Sequence, residues 1–146
     1  TENVAGIVGL GKAIEIANDN VMQNNEKLLN LRNYCIEQIK NRIPYIRING
    51  DLNSRLLGNI NISFLYVNGK DLVKLLAKKG ICTSSGSACS SGLSQPSHVL
   101  LAMGLSEDIA SSALRITLGK ENTKEDIDYF VDELEKIVVN LRTERY

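Results

Sequence analysis

Residues 59–66 read Asn59-Ile60-Asn61-Ile62-Ser63-Phe64-Leu65-Tyr66, with Ile60, Ile62 and Phe64 on one parity and Asn59, Asn61 and Ser63 on the other. Successive side chains of an extended chain point to opposite faces, so this alternation predicts a strand with one apolar and one polar side. Working outward, a short strand is expected upstream at Tyr45 to Ile48, closed by the turn signal Asn49-Gly50-Asp51. Another is expected over Ala113 to Leu118, where Leu114, Ile116 and Leu118 share one face and Ala113, Arg115 and Thr117 the other.

Helical periodicity surrounds these strands. From Val4 to about Ile43, Ile7, Leu10, Ile14, Ala17, Val21, Leu28, Leu31, Cys35 and Ile39 recur at helical spacing until Pro44 stops the pattern. The Asn18-Asp19-Asn20 and Asn24-Asn25 clusters predict a kink or break in its middle. Asn68-Gly69-Lys70 reads as a turn before a short helix through Leu72 and Leu76 that stops at Gly80, and Ile81-Cys82-Thr83 as a buried, extended run. Pro96 opens a helix with Val99, Leu100 and Met103 that ends at Gly104, and Ser106 with Glu107-Asp108 caps another. Thr123-x-x-Asp126 resembles a capping box ahead of the stripe Ile127, Phe130, Val131, Leu134, Ile137, Val138 and Leu141, an amphipathic helix docked on a core.

The order of elements predicts a two-layer α/β (α+β) domain, with helices on one face of a mainly antiparallel or mixed sheet. Residues 1–43 form a long leading helix that packs on something beyond this domain, and residues 44–146 form the small α/β domain carrying the loop 84–95. The 146 residues suit one domain, and 17 basic residues balance 17 acidic ones, which speaks against nucleic-acid or anionic-membrane binding. No stretch has the apolar length to cross a bilayer, and the first residues show no leader pattern, so the chain is expected to be soluble and unprocessed. Three widely spaced cysteines fit neither a disulfide framework nor a zinc site, and a reducing cytoplasm is expected.

The residues able to carry chemistry lie in and after the Ser- and Gly-rich loop Ser84-Ser85-Gly86-Ser87-Ala88-Cys89-Ser90-Ser91-Gly92, read as mobile because little in it can anchor to a core. Cys35 on a helical stripe and Cys82 beside Ile81 read as small hydrophobes. Cys89 has the exposure and reach of a sulfur nucleophile, although its residues alone equally fit an exposed thiol in an unspecialised loop. A phosphate cradle at Ser84-Ser85-Gly86-Ser87 lacks the Walker lysine, and a metal at Cys82, Cys89 and His98 lacks a fourth ligand and recognised spacing, so no metal is expected and His98 is placed on a helix surface. Arg115 is either an ordinary exposed arginine or, if its face lines a cleft, a bidentate partner for a carboxylate.

Ser84-Ser85-Gly86-Ser87-Ala88-Cys89, then Pro96-Ser97-His98-Val99-Leu100, then Ala113-Leu114-Arg115-Ile116-Thr117-Leu118-Gly119 resemble the C-terminal part of a group I cysteine desulfurase, of aminotransferase class V. The likeness extends from Thr1 to the final helix. It implies the small domain, with its leading helix, of a homodimeric fold-type I pyridoxal-phosphate enzyme. That enzyme converts L-cysteine to L-alanine and passes the sulfur, as a persulfide on Cys89, to an acceptor or scaffold protein for iron–sulfur cluster or thiocofactor assembly. By the same likeness Arg115 anchors the substrate carboxylate and Thr1 reaches the cofactor phosphate of the neighbouring subunit. The family's His-Lys segment, which supplies the lysine for the pyridoxal 5′-phosphate imine, has no counterpart here, so this chain alone is expected to be inactive. The alternative is a stand-alone sulfur carrier or partner-binding domain that accepts a persulfide at Cys89. Selenocysteine lyase or cysteine-sulfinate activity, found in relatives of the same fold, stays open within the enzyme class.

Overall fold

The computed structural model describes residues 1–86 and 96–144. Its elements run α1 (Val4–Arg42), β1 (Ile46–Ile48), β2 (Asn59–Phe64), α2 (Gly69–Ala77), α3 (His98–Ala102), α4 (Glu107–Ser111), β3 (Ala113–Thr117) and α5 (Lys124–Thr143). The strands pair in the order β1-β2-β3, antiparallel at both junctions, so the mixed alternative drops out.

The alternation in β2 sets the two layers. Ile60, Ile62 and Phe64, with Leu114 and Ile116 of β3, are buried in one core with Leu31, Cys35 and Ile39 of α1, Leu72 and Leu76 of α2, and Phe130, Leu134 and Val138 of α5. The capping box of α5 is present: Thr123 Oγ1 accepts from the Asp126 amide at 3.3 Å and Asp126 Oδ2 accepts from the Thr123 amide at 3.0 Å. Arg42 forms ion pairs with Asp132 at 2.7 Å and Glu135 at 2.5 Å, joining the end of α1 to α5.

Several expectations need correction. Helices do not occupy one face alone: Leu100 of α3, Ala110 of α4 and Leu105 between them pack against Ala113 in a smaller cluster, on the face that carries the odd-numbered residues of β3. Asn68-Gly69-Lys70 is no free turn but the start of α2, where Asn68 Oδ1 accepts from the Lys70 amide at 2.9 Å. Gly69 is needed there because a Cβ would lie 2.4 Å from the Ala113 carbonyl oxygen. Pro96 stands two residues ahead of α3, whose N-cap is Ser97. Cys82 is exposed, and the run 81–83 forms no strand; only Ser84 bridges to β3, through Arg115.

The expected break in α1 is absent, and one continuous helix spans Val4–Arg42. Asn20 Nδ2 donates to the Ile16 carbonyl at 2.8 Å, so its amide folds back on the preceding turn and the main-chain ladder runs on. The same helix changes environment along its length. Ile7, Leu10, Ile14 and Val21 are exposed, whereas Leu31, Cys35, Ile36 and Ile39 are buried. At the rise of an α-helix, Thr1 stands roughly 40 Å from Leu28, where packing on the domain begins. Among the described residues no helix is long and apolar enough to cross a membrane.

Candidate functional site on the polar face of the sheet

Arg115 owes its position to the pairing of β3. Its amide donates to the Ser84 carbonyl at 2.5 Å and the Ser84 amide donates to its carbonyl at 3.0 Å, so its main chain faces away from β2. Arg115 and its cross-strand partner Asn61 are therefore a non-hydrogen-bonded pair, the kind in which opposed side chains lie closest. Both lie on the polar side of the sheet.

Beside them opens a cleft of about 180 Å³, lined by Asn61, Arg115, Ser85, Gly86, Ser97 and His98, with Val99 and Leu100 as its apolar part. That is smaller than the roughly 300–1,000 Å³ of sites for drug-sized ligands and suits a small amino acid. Arg115 is exposed, and its guanidinium has no hydrogen bond or ion pair among the described residues. A free, planar, permanently charged donor at the wall of a small cleft is equipped to take a carboxylate through two parallel hydrogen bonds.

Below the cleft the polar face is organised by buried hydrogen bonds. Asn49 Nδ2 donates to Asn61 Oδ1 at 2.7 Å and to Ser63 Oγ at 2.9 Å, and Ser63 Oγ donates to the Ile109 carbonyl of α4 at 2.7 Å. Asn49 and Ser63 are both buried. The network ties β1's end, β2 and α4 together directly beneath Asn61.

The residues singled out from sequence are thus distributed unevenly. Arg115 lies at the cleft, in the cleft-facing role that its sequence left open. Thr1 is exposed at the distant end of α1, and the structure does not bring it near Arg115. Cys89 lies outside the described residues, as does most of the loop 84–95. Described residues on both sides of that segment, Ser85 and Gly86 before it and Ser97 and His98 after it, line the same cleft. Ser84, read from sequence as part of an unanchored loop, is held by the bridge to Arg115.

Sequence reasoning missed Asn61, Ser97 and His98 as cleft residues. For Asn61 the available signal was its outward parity on β2, while its place opposite Arg115 is set by the register with β3; His98 is on a helix surface as expected, but that surface is the cleft wall. The other two thiols differ sharply. Burial pushes the Cys35 thiol up to about 12, which makes it inert, while Cys82 is exposed.

Residues 1–130 match the family described as Aminotransferase class-V. The chain belongs to the aminotransferase class-V family. Within that family it is 50% identical over 144 residues to the cysteine desulfurase IscS of Clostridium botulinum, covering 97% of this chain and 36% of the relative. It is 46% identical over 142 residues to the cysteine desulfurase IscS of Methanosarcina thermophila, covering 97% of this chain and 35% of the relative. Among solved structures, a NifS-like protein superposes with a TM-score of 0.83 at 34% identity, covering 96% of this chain and 35% of the other. A NifS-like protein from Rickettsia africae gives 0.80 at 32% identity, covering 94% of this chain and 35% of the other. This aminotransferase class-V chain spans about a third of the length of the curated relatives it matches.

Proposed function

We propose that the chain is the later, cysteine-bearing part of a cysteine desulfurase, comprising a leading helix (1–43) and a small domain (44–146). The observation that carries this reading is Arg115, unpaired among the described residues, at a small cleft whose rim is formed by the residues flanking the Cys89 segment. Gly86 lines the cleft and precedes Cys89 by three residues in the sequence, a span of at most about 11 Å when fully extended. Placement in the later part of the enzyme is what the resemblance of the cysteine loop, the arginine strand and the closing helix implies.

In this function Arg115 binds and orients the carboxylate of L-cysteine, and Cys89 receives its sulfur. The overall change balances without an outside oxidant: a thiol and cysteine become a persulfide and alanine. Pyridoxal 5′-phosphate, the cofactor the resemblance implies, supplies the electron sink in the complete enzyme. The cleft does not fit it by itself, because no lysine or acid lines the cleft among the described residues. We assign the imine lysine to the remainder of the enzyme and expect this chain alone to be inactive. The exposed first half of α1 suits a contact with that remainder or with a second subunit, which is where Thr1 would meet the cofactor phosphate in a homodimer. A sulfur acceptor or iron–sulfur scaffold protein would then take the persulfide, in the cytoplasm.

The test is to assay alanine and sulfide from L-cysteine with the chain alone, then with the chain joined behind the cofactor-bearing part of a relative. Turnover that appears only in the joined protein and is lost in Cys89→Ala supports the reading. Turnover by the chain alone overturns it, and persulfide acceptance at Cys89 without pyridoxal phosphate replaces it with the sulfur-carrier alternative.

A further inference from the structure

We propose that Asn61 is a second donor to the ligand carboxylate, its Nδ2 group completing with the Arg115 guanidinium a clamp specific for an α-carboxylate. The inference rests on the reading of Arg115 given above and adds a residue that neither its sequence motif nor its charge would single out.

The orientation of the Asn61 amide follows from the bonds beneath it. A main-chain carbonyl can only accept, so Ser63 Oγ spends its single hydrogen on the Ile109 oxygen at 2.7 Å. Ser63 therefore meets Asn49 as an acceptor, and the Asn49 atom 2.9 Å away must be Nδ2. That same nitrogen lies 2.7 Å from the Asn61 amide, which must present Oδ1 to it. Asn61 Nδ2 is then turned away from Asn49 and has no partner among the described residues. Reversing Asn61 would set two NH₂ groups against each other above a buried network. Because Asn61 lines the cleft as the cross-strand partner of Arg115, its free donor and the guanidinium serve one pocket.

The clamp selects by chemistry. Donors on both strands match the two oxygens of a carboxylate and meet the NH₂ of a carboxamide donor to donor, so an amino-acid amide is rejected.

Two measurements on the holoenzyme test this. Asn61→Ala should raise KM for L-cysteine by about ten-fold, as expected for one lost hydrogen bond to a charged group, with kcat within about two-fold. In wild-type holoenzyme labelled with ¹⁵N-asparagine, the Asn61 side-chain amide signals should shift with L-alanine and stay still with L-alaninamide, a result that does not depend on any variant folding. If Arg115→Ala raises KM while Asn61→Ala does not, or the amide signals ignore L-alanine, the clamp is wrong and the reading of Arg115 stands. If Arg115→Ala leaves KM unchanged, that reading fails and the clamp fails with it.

Discussion

The two faces of β2 and β3 share one backbone and one register, yet they do different work. On the face toward α1, α2 and α5, Ile60, Ile62, Phe64, Leu114 and Ile116 are buried among apolar side chains. On the opposite face Asn61 and Arg115 border a cleft, while Ser63 and Asn49 form a buried hydrogen-bonded support. The period of two in an extended chain lets a single strand pack a core on one side and line a cleft on the other, residue by residue. Changes on the first face should therefore act on stability, and changes at the cleft on ligand handling.

The largest effect that separates the faces is expected for Phe64→Ala. Its ring is fully buried, and its removal should cost about 3–5 kcal/mol, read as a lower urea midpoint. Next, on the proposed function, Arg115→Ala should weaken the apparent affinity of the complete enzyme for L-cysteine by about a hundred-fold, as expected for loss of a bidentate contact to a carboxylate, while the urea midpoint stays put. A large stability loss there would break the division between faces.

Ser63→Ala sharpens the comparison, because Ser63 is on the polar face and yet fully buried. It removes two buried hydrogen bonds while Asn49 Nδ2 keeps Asn61 Oδ1 and the Ile109 carbonyl keeps Ser112 Oγ, with an expected cost of about 1–2 kcal/mol, so burial and not face should govern its stability effect. On the helix side, Cys35 offers a pH test. Burial holds its thiol near 12 against an ordinary 9.0, so the neutral form is favoured in the fold. The stability this provides is complete below pH 9 and lost as pH rises toward 12, about 1 kcal/mol by pH 10. Denaturation between pH 8 and 10 should show a steeper decline in wild type than in Cys35→Ala. The smallest effect is expected for Thr117→Val, exposed on the polar side, at within about 0.5 kcal/mol.

Much of the fold was legible in the chain. The alternation of β2 and β3, the capping box of α5 and the stop at Pro44 are local signals whose physics needs no distant partner. The asparagine clusters predict a break in α1 as competitors of the main chain, whereas Asn20 bonds back to the Ile16 carbonyl and the helix continues. Ile81 beside Cys82 predicts burial, but Cys82 is exposed because its environment depends on how the segment leaves α2. At the site, the chemistry of Arg115 was legible and its setting was not, since whether a strand's outer face meets solvent or a cleft depends on α3 and the residues around Ser85.

The sequence by itself determined which residues can sit in strands and helices, the parity that sends Asn61, Ser63 and Arg115 to one side, and the family to which the chain belongs. The first two are consequences of backbone period, caps and side-chain chemistry over short spans, and the family follows from the likeness of whole motifs to those of its relatives. Only the tertiary structure decided that Asn61 stands opposite Arg115, that Asn49 reaches across to β2 to orient an amide, and that α4 returns a carbonyl to Ser63. Each of these joins residues far apart in the chain, and such contacts are set by register and by the packing of whole elements, which no local pattern encodes.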